Sequence, residues 1–171
     1  YEYAITTRFL GYFDEAEPIL KQLYVEAQQL ENPERLVMLS NAIGILHDLK
    51  GDMDKAESIY KTGIELAEEN DIYDGGANLL VNLAIVEKNR GDLIEARGLL
   101  GRAIAFYHKS NTPVSGSLYI TLGNVAVSEG DLGETDSNYH KALASFRQQE
   151  SRSGEAIALS NLSWLARQLH K

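Results

Sequence analysis

One short pattern recurs along the chain and restricts its fold more than any other feature. A glycine stands at Gly11, Gly51, Gly91 and Gly130, so that successive members lie 40, 40 and 39 residues apart, and aspartate follows the last three. A glycine just past a helix end adopts the left-handed conformation without strain, and an aspartate after it can cap the next helix. The recurrence therefore predicts a series of helix hairpins, each with a tight Gly-Asp turn.

The residues on either side of each glycine support this interpretation. After Gly91, the residues Leu93, Ala96, Leu100 and Ala103 form an apolar stripe with helical spacing, and the other repeats carry similar stripes. Before each turn, a large apolar residue stands beside a small one. These pairs are Ile43-Gly44, Leu83-Ala84 and Leu122-Gly123. We expect the small residue to let the paired helix approach closely, and we expect Tyr60, Tyr107 and Tyr139 to fill the core.

These patterns predict an all-α protein in which one repeat array covers residues 1-171. We expect nine helices, arranged as four hairpins and a terminal helix, with approximate bounds 1-31, 32-70, 71-110, 111-150 and 151-171. Asn32-Pro33 and Thr112-Pro113 each predict a helix start, because a capping residue precedes a proline at the first helical position. Glu95 and Glu134 can complete capping boxes. Since Tyr1 stands in a helical pattern, we interpret the chain as a fragment of a longer protein.

The repeated pattern resembles the tetratricopeptide repeat. The resemblance is carried by the large-small pairs, the Gly-Asp turns, and Ala16, Ala56 and Ala96, with Tyr60 and Tyr139 at the aromatic position. The period exceeds the usual one of about 34 residues, and is similar to the repeats of kinesin light chains, spindle-orientation adaptors and MalT-type bacterial regulators. The resemblance implies a right-handed superhelical solenoid of antiparallel hairpins, whose first helices line a concave groove that holds a peptide or protein segment.

The resemblance also indicates which side chains would line the groove. The candidates are Asn41, Ile45, Asp48, Val81, Asn82, Ile85, Lys88, Ile120, Thr121, Asn124, Asn161 and Trp164. An apolar ridge bordered by asparagines suits a peptide, because an amide side chain can both donate to and accept from a bound backbone. The alternative is that the isoleucines pack neighbouring helices and that the asparagines brace the repeats.

The distribution of charge restricts the partners. The chain carries a net charge of −9, and residues 11–74 hold 15 acidic and 5 basic residues. No basic stripe exists for a phosphate backbone, so we expect no nucleic acid partner. The acidic half is open to two interpretations, a solvated outer face or a docking surface for a basic partner.

We find no residues that indicate catalysis. The chain has no cysteine, and its 4 histidines, His47, His108, His140 and His170, fall on different predicted helices, so we expect surface or groove-rim histidines and no metal site or cofactor. No apolar run is long enough to cross a membrane. The absence of cysteine favours a reducing compartment, and we expect a cytoplasmic protein that is not an enzyme.

Two classes of function remain open. The first is a protein-interaction scaffold, such as the sensing or assembly region of a signalling or transcriptional regulator, with a receptor for a small signalling peptide as a variant. The second is an accessory region that selects substrates for an enzyme whose catalytic domain lies outside this chain. The terminal helix carries more apolar residues than one neighbouring hairpin can cover, namely Ile157, Leu162, Trp164, Leu165 and Leu169. We expect either a covering helix in the longer parent protein or a weak homodimer of this chain through the exposed end.

Overall fold

The computed structural model describes residues 13–169, and within that range the chain forms helices and no strand. The eight helices are α1 Phe13–Gln29, α2 Pro33–Leu49, α3 Met53–Glu69, α4 Tyr73–Arg90, α5 Leu93–Lys109, α6 Gly116–Glu129, α7 Leu132–Gln148 and α8 Arg152–Leu169. The predicted all-α hairpin architecture is confirmed. The ninth predicted helix falls within residues 1–12, outside the described part of the chain.

The helices form two layers. Each helix packs against the next one in the chain, and α2, α4, α6 and α8 also pack directly against one another in that order. The second helices of the hairpins, α3, α5 and α7, make no contacts of comparable extent with each other among the described residues. The first helices therefore form one continuous layer. The second helices lie behind this layer and are separated from one another.

The predicted Gly-Asp turns are present. Gly51, Gly91 and Gly130 have φ values of 80°, 91° and 81°, in the left-handed region. The side chains of Asp92 and Asp131 cap α5 and α7, accepting hydrogen bonds from backbone N–H groups three residues on at 2.9 and 2.8 Å. The predicted capping boxes are wrong, because the backbone N–H groups of the two aspartates already donate to helix carbonyls of α4 and α6.

A second set of left-handed residues joins the end of each hairpin to the next. These residues are Glu31, Asp71, Asn111 and Glu150, with φ between 47° and 56°. They repeat with the same period as the glycines, but no glycine marks them in the sequence. Non-glycine residues pay a steric cost in this conformation, so these joints are held by the packing of the helices that they connect.

One predicted helix start is wrong and one is confirmed. Asn32 caps α2 by accepting from Arg35 N–H at 2.9 Å, and Pro33 is the first helical residue, as predicted. Thr112-Pro113 instead lies in the connection before α6, which begins at Gly116 behind the cap Ser115. The hydroxyl of Thr112 donates to Asp74 Oδ1 at 2.8 Å. Thr112 therefore links the connection between two hairpins to α4 and is not a helix cap.

The spacing of each hairpin is set by a small residue facing a large one. A Cβ atom added to Gly44 would lie 2.2 Å from the ring of Tyr60, and one added to Gly123 would lie 2.4 Å from the ring of Tyr139. The equivalent pair in the middle hairpin is Ala84 and Leu100, both fully buried. Glycine thus accompanies tyrosine, and alanine accompanies leucine, so the combined volume at the crossing is conserved within the chain.

Ion pairs join neighbouring hairpins close to the Gly-Asp turns. Lys50, just after α2, bonds Glu17 on α1 at 2.9 Å, and Arg90 at the end of α4 bonds Asp54 on α3 at 2.6 Å. At the third contact the polarity is reversed, because Glu129 of α6 accepts from Arg97 of α5 at 2.8 Å. Hydrogen bonds from Lys21 and Lys50 lower the pKa of Glu17 to about 2. Part of the acidic half therefore serves to link hairpins.

Size matching at the crossing gives a testable prediction. Gly44→Ala should destabilise the chain by about 1–3 kcal/mol, because the new methyl group overlaps the ring of Tyr60. Adding Tyr60→Leu, which reproduces the Ala84 and Leu100 pair, should recover part of the loss. Chemical denaturation of the four members of this double-mutant cycle measures the coupling. Additive losses in the double variant would contradict the proposed contact.

Candidate functional site

The predicted groove residues lie on the layer formed by the first helices. Ile45 on α2, Ile85 on α4, Asn124 on α6 and Trp164 on α8 occupy equivalent positions and are all half-buried. The two isoleucines pack against the main hydrophobic core of the chain. Because α2, α4, α6 and α8 contact one another in order, these side chains form a row across four helices, each with part of its surface accessible.

The structure joins two of the predicted asparagines directly. Asn82 Nδ2 on α4 donates to Asn41 Oδ1 on α2 at 2.7 Å, and both residues are half-buried. An amide has two donor hydrogens and two acceptor positions, so this bond leaves the amide of Asn41 free to donate and the carbonyl of Asn82 free to accept. The pair braces neighbouring repeats and also presents complementary groups at one point of the layer.

The remaining predicted residues differ in accessibility. Ile120, Asn161 and Trp164 are half-buried, and Ile120 packs against the core formed by α7 and α8. Val81 and Thr121 are buried, with 5% and 3% of their surface exposed. Their side chains have little surface to offer a ligand, so their expected place in the groove lining is corrected to a packing role.

Asn124 makes a different contact from the one expected of a groove residue. Its Oδ1 accepts a hydrogen bond from the hydroxyl of Tyr139 at 2.7 Å. The tyrosine whose ring packs against Gly123 is therefore also bonded to α6 through its hydroxyl group. Tyr60, Tyr107 and Tyr139 are 1%, 6% and 2% exposed, which confirms that they fill the core.

Asp48 and Lys88 are the charged members of the predicted groove. They occupy equivalent positions on α2 and α4, and both are half-buried. Neither forms an ion pair with any side chain in residues 13–169. Burial raises the pKa of the Asp48 carboxyl, since partial loss of water disfavours its charged form. Within residues 13–169 the layer thus carries one acid and one base that no neighbouring side chain neutralises.

The histidines do not all lie where the sequence placed them. His108 and His140 are exposed, as expected, and His170 lies outside the described residues. His47 is only 6% exposed, so its assignment as a surface or groove-rim histidine is wrong. It stands on the face of α2 that α1 and α3 approach, and burial lowers its pKa. Among residues 13–169, no group of histidines and carboxylates is arranged to hold a metal ion.

Comparison with known proteins relates the architecture to solved structures. No protein-family model matches the sequence, and no curated protein matches it. The crystal structure of BtubC (BKLC) from P. vanneervenii superposes with a TM-score of 0.71 at 20% identity, over 98% of this chain and 78% of that one. The fold is the tetratricopeptide-like solenoid.

Two further tetratricopeptide-like structures extend the comparison. A putative kinesin light chain from Podosopora anserina, described as having nearly identical TPR-like repeats, gives a TM-score of 0.65 at 13% identity, over 99% of this chain and 94% of that one. A Rap protein complexed with Competence and Sporulation Factor gives 0.62 at 16% identity, over 96% of this chain and 50% of that one. The predicted resemblance to tetratricopeptide proteins is therefore confirmed for the fold.

None of the helices in the described part of the chain combines the length and hydrophobicity needed to cross a membrane.

The uncompensated carboxylate leads to a pH-dependent prediction. Because the folded pKa of Asp48 is raised above the ordinary value of 3.8, its contribution to stability is complete below that value and is lost as pH rises through the folded pKa. Asp48→Asn should therefore stabilise the chain at pH 7 by less than about 1 kcal/mol. The difference should vanish below pH ~4.

Thermal unfolding of wild type and Asp48→Asn at pH 7 and at acid pH measures this effect. Glu65→Gln serves as the matched control, because Glu65 is an exposed carboxylate on α3. A variant that unfolds at a lower temperature than wild type at pH 7 would show that Asp48 has a stabilising partner in the folded chain.

Proposed function

We propose that the layer of first helices binds an extended segment of a partner protein, and that the chain is a non-catalytic interaction scaffold. The single observation that carries the proposal is the pair of charges, Asp48 and Lys88, that have no ion-pair partner among residues 13–169 and lie beside the half-buried isoleucines Ile45 and Ile85. A solenoid gains nothing in stability from an unpaired, partly buried carboxylate. Its presence is explained if a partner supplies the missing cation.

The polar groups of the layer fit an extended chain. The free donor of Asn41 and the free acceptor of Asn82 can satisfy a backbone carbonyl and a backbone N–H of a bound segment, whatever its side chains. Ile45 and Ile85 would then contact its apolar residues, and Asp48 and Lys88 would select opposite charges on it. Asn161 and Trp164 on α8 extend the same surface toward the end of the chain.

The neighbouring structures favour an interaction role over a catalytic one. The Rap structure was determined in complex with Competence and Sporulation Factor, which gives an example of this architecture holding a partner. By this analogy we propose a sensing or assembly region of a regulator that acts in the cytoplasm. The similarity to MalT-type regulators remains a prediction.

Display of random 15-residue peptides on phage, selected against the 171-residue chain, tests the proposed face. Asp48→Lys should weaken binding of the selected peptides by about tenfold or more, because a favourable charge contact becomes a repulsive one. Glu65→Lys makes the same change in net charge on α3, behind the layer, and should leave binding unchanged. If both variants weaken binding equally, the peptides recognise overall charge and the proposed face is wrong.

We also propose the weak homodimer through α8, with a corrected contact surface. Leu165 is only 1% exposed and packs within the chain, whereas Ile157, Leu159 and Leu169 are 52%, 45% and 59% exposed. The latter three are available for a second copy, and burying a large apolar side chain contributes roughly 1.5–3 kcal/mol.

Leu159→Glu with Leu169→Glu should therefore abolish concentration-dependent association in sedimentation equilibrium. Ile94→Glu is the matched control, since Ile94 is 88% exposed on α5, away from the terminal helix. A wild-type chain that stays monomeric at millimolar concentration would contradict the dimer.

A further inference from the structure

A cleft of about 460 Å³ opens on the side of the molecule opposite the first-helix layer. Its walls are α1 and α3, which stand apart as the second helices do elsewhere in the chain, and its floor is α2. The apolar lining includes Tyr24 and Val25 on α1, Ile43 on α2 and Ile59 on α3. We call this space the α1–α3 cleft. Its volume lies in the range of roughly 300–1,000 Å³ that is typical of small-molecule sites.

Two buried polar side chains line the floor of the α1–α3 cleft. Ser40 is 1% exposed and His47 is 6% exposed. Within residues 13–169 neither side chain has a hydrogen-bond partner. Two carboxylates, Glu17 and Asp52, act on His47 electrostatically. Oδ2 of Asp52 lies 4.0 Å from Nδ1, too far for a hydrogen bond. Buried polar groups are nearly always hydrogen-bonded. Two buried polar side chains without partners in the same cleft therefore require an explanation.

The repeat itself provides an internal comparison. The positions equivalent to Ser40 and His47 carry Leu80 and Glu87 on α4. Leu80 is fully buried, and Glu87 is bonded to Arg90 at 3.3 Å. Packing of the solenoid therefore does not need a serine or a histidine at these places. The polar pair is present where it lines the α1–α3 cleft and is replaced at the equivalent positions of α4, and no side chain or backbone group of residues 13–169 uses its hydrogen-bonding capacity.

We propose that the α1–α3 cleft binds a small, neutral amphipathic molecule, whose apolar body lies between α1 and α3 and whose hydroxyl or carbonyl group bonds with Ser40 and His47. The polar group should be uncharged, because the surrounding lining is apolar and an isolated buried charge is costly. Burial also lowers the pKa of His47, so that at neutral pH the imidazole offers one donor and one acceptor. The site lies behind the proposed peptide-binding face and is independent of it.

Two matched probes test the site on the 171-residue chain. 4-Pentylphenol and pentylbenzene have the same apolar body, and only the first carries a hydroxyl group. Titrations followed by backbone amide NMR should show saturable shifts in α1, α2 and α3. The phenol should bind about tenfold more tightly, because it satisfies buried groups that are otherwise unpaired.

Variants separate the polar floor from the cleft as a whole. Ser40→Ala with His47→Leu should remove the preference for the phenol and retain the binding of pentylbenzene, an outcome that a purely structural role of the two residues would not produce. Ser58→Phe, at the mouth of the cleft, should abolish binding of both probes. Ser137→Phe is its control, since Ser137 occupies the equivalent exposed position on α7.

Three results would overturn the proposal. One is the absence of saturable shifts in α1, α2 and α3. Another is equal affinity of the wild-type chain for the two probes, which would mean that ordered water alone satisfies Ser40 and His47. The third is unchanged binding in Ser58→Phe while the amide spectrum shows a folded chain, which would place the probes elsewhere on the molecule.

Discussion

The contact between a small residue on a first helix and a large side chain on the second helix determines the distance between the two helices of a hairpin. Gly44 against Tyr60 and Gly123 against Tyr139 bring the backbone of one helix onto an aromatic ring, and the ring leaves no room for a Cβ atom. In the middle hairpin Ala84 and Leu100 occupy the equivalent positions, so that the residue on the first helix is larger and the one on the second helix is smaller. Because interiors are close-packed, this contact sets the spacing of the two helices within each of these hairpins.

The contacts that hold one hairpin to the next are more varied than those within a hairpin. The hydrogen bond between Asn41 and Asn82 joins α2 to α4 within the layer. An ion pair between Arg90 and Asp54 links the same two hairpins, and at the next contact the polarity is reversed, where Arg97 meets Glu129. A solenoid needs only nearest-neighbour contacts, so each interface can use its own chemistry. This freedom allows polar groups to be left unpaired at particular interfaces without loss of the fold.

The two proposed sites lie on opposite sides of the molecule, and each contains polar or charged side chains that the described part of the fold leaves unpaired. On the first-helix layer, partial burial disfavours the charged form of Asp48 and raises its pKa. Behind the layer, Ser40 and His47 have no hydrogen-bond partner among residues 13–169 and line an open cleft. In the cleft, Ser40 and His47 stand where the equivalent residues of α4, Leu80 and Glu87, are apolar or paired. Such exceptions to a repeated pattern are the places where function and stability compete.

Much of the fold could be predicted from the sequence because its determinants are local. The Gly-Asp turns, the cap at Asn32 and the burial of Tyr60 and Tyr139 follow from spacing along a helix and from the conformational freedom of glycine. The row containing Ile45 and Ile85 follows from the same periodicity. Local signals failed at Thr112-Pro113, where Thr112 bonds with Asp74 in the preceding hairpin and the helix begins only at Gly116.

What the sequence by itself determined is the order of helices and turns, since each depends on residues within one or two helical turns of one another. The tertiary structure alone decided which side chains lose water. His47 is buried on the floor of the cleft between α1 and α3, and Leu165 and Val81 are also buried by the packing of the helices. Burial and pairing depend on distances between residues about 40 positions apart, and a helical pattern gives no measure of those distances.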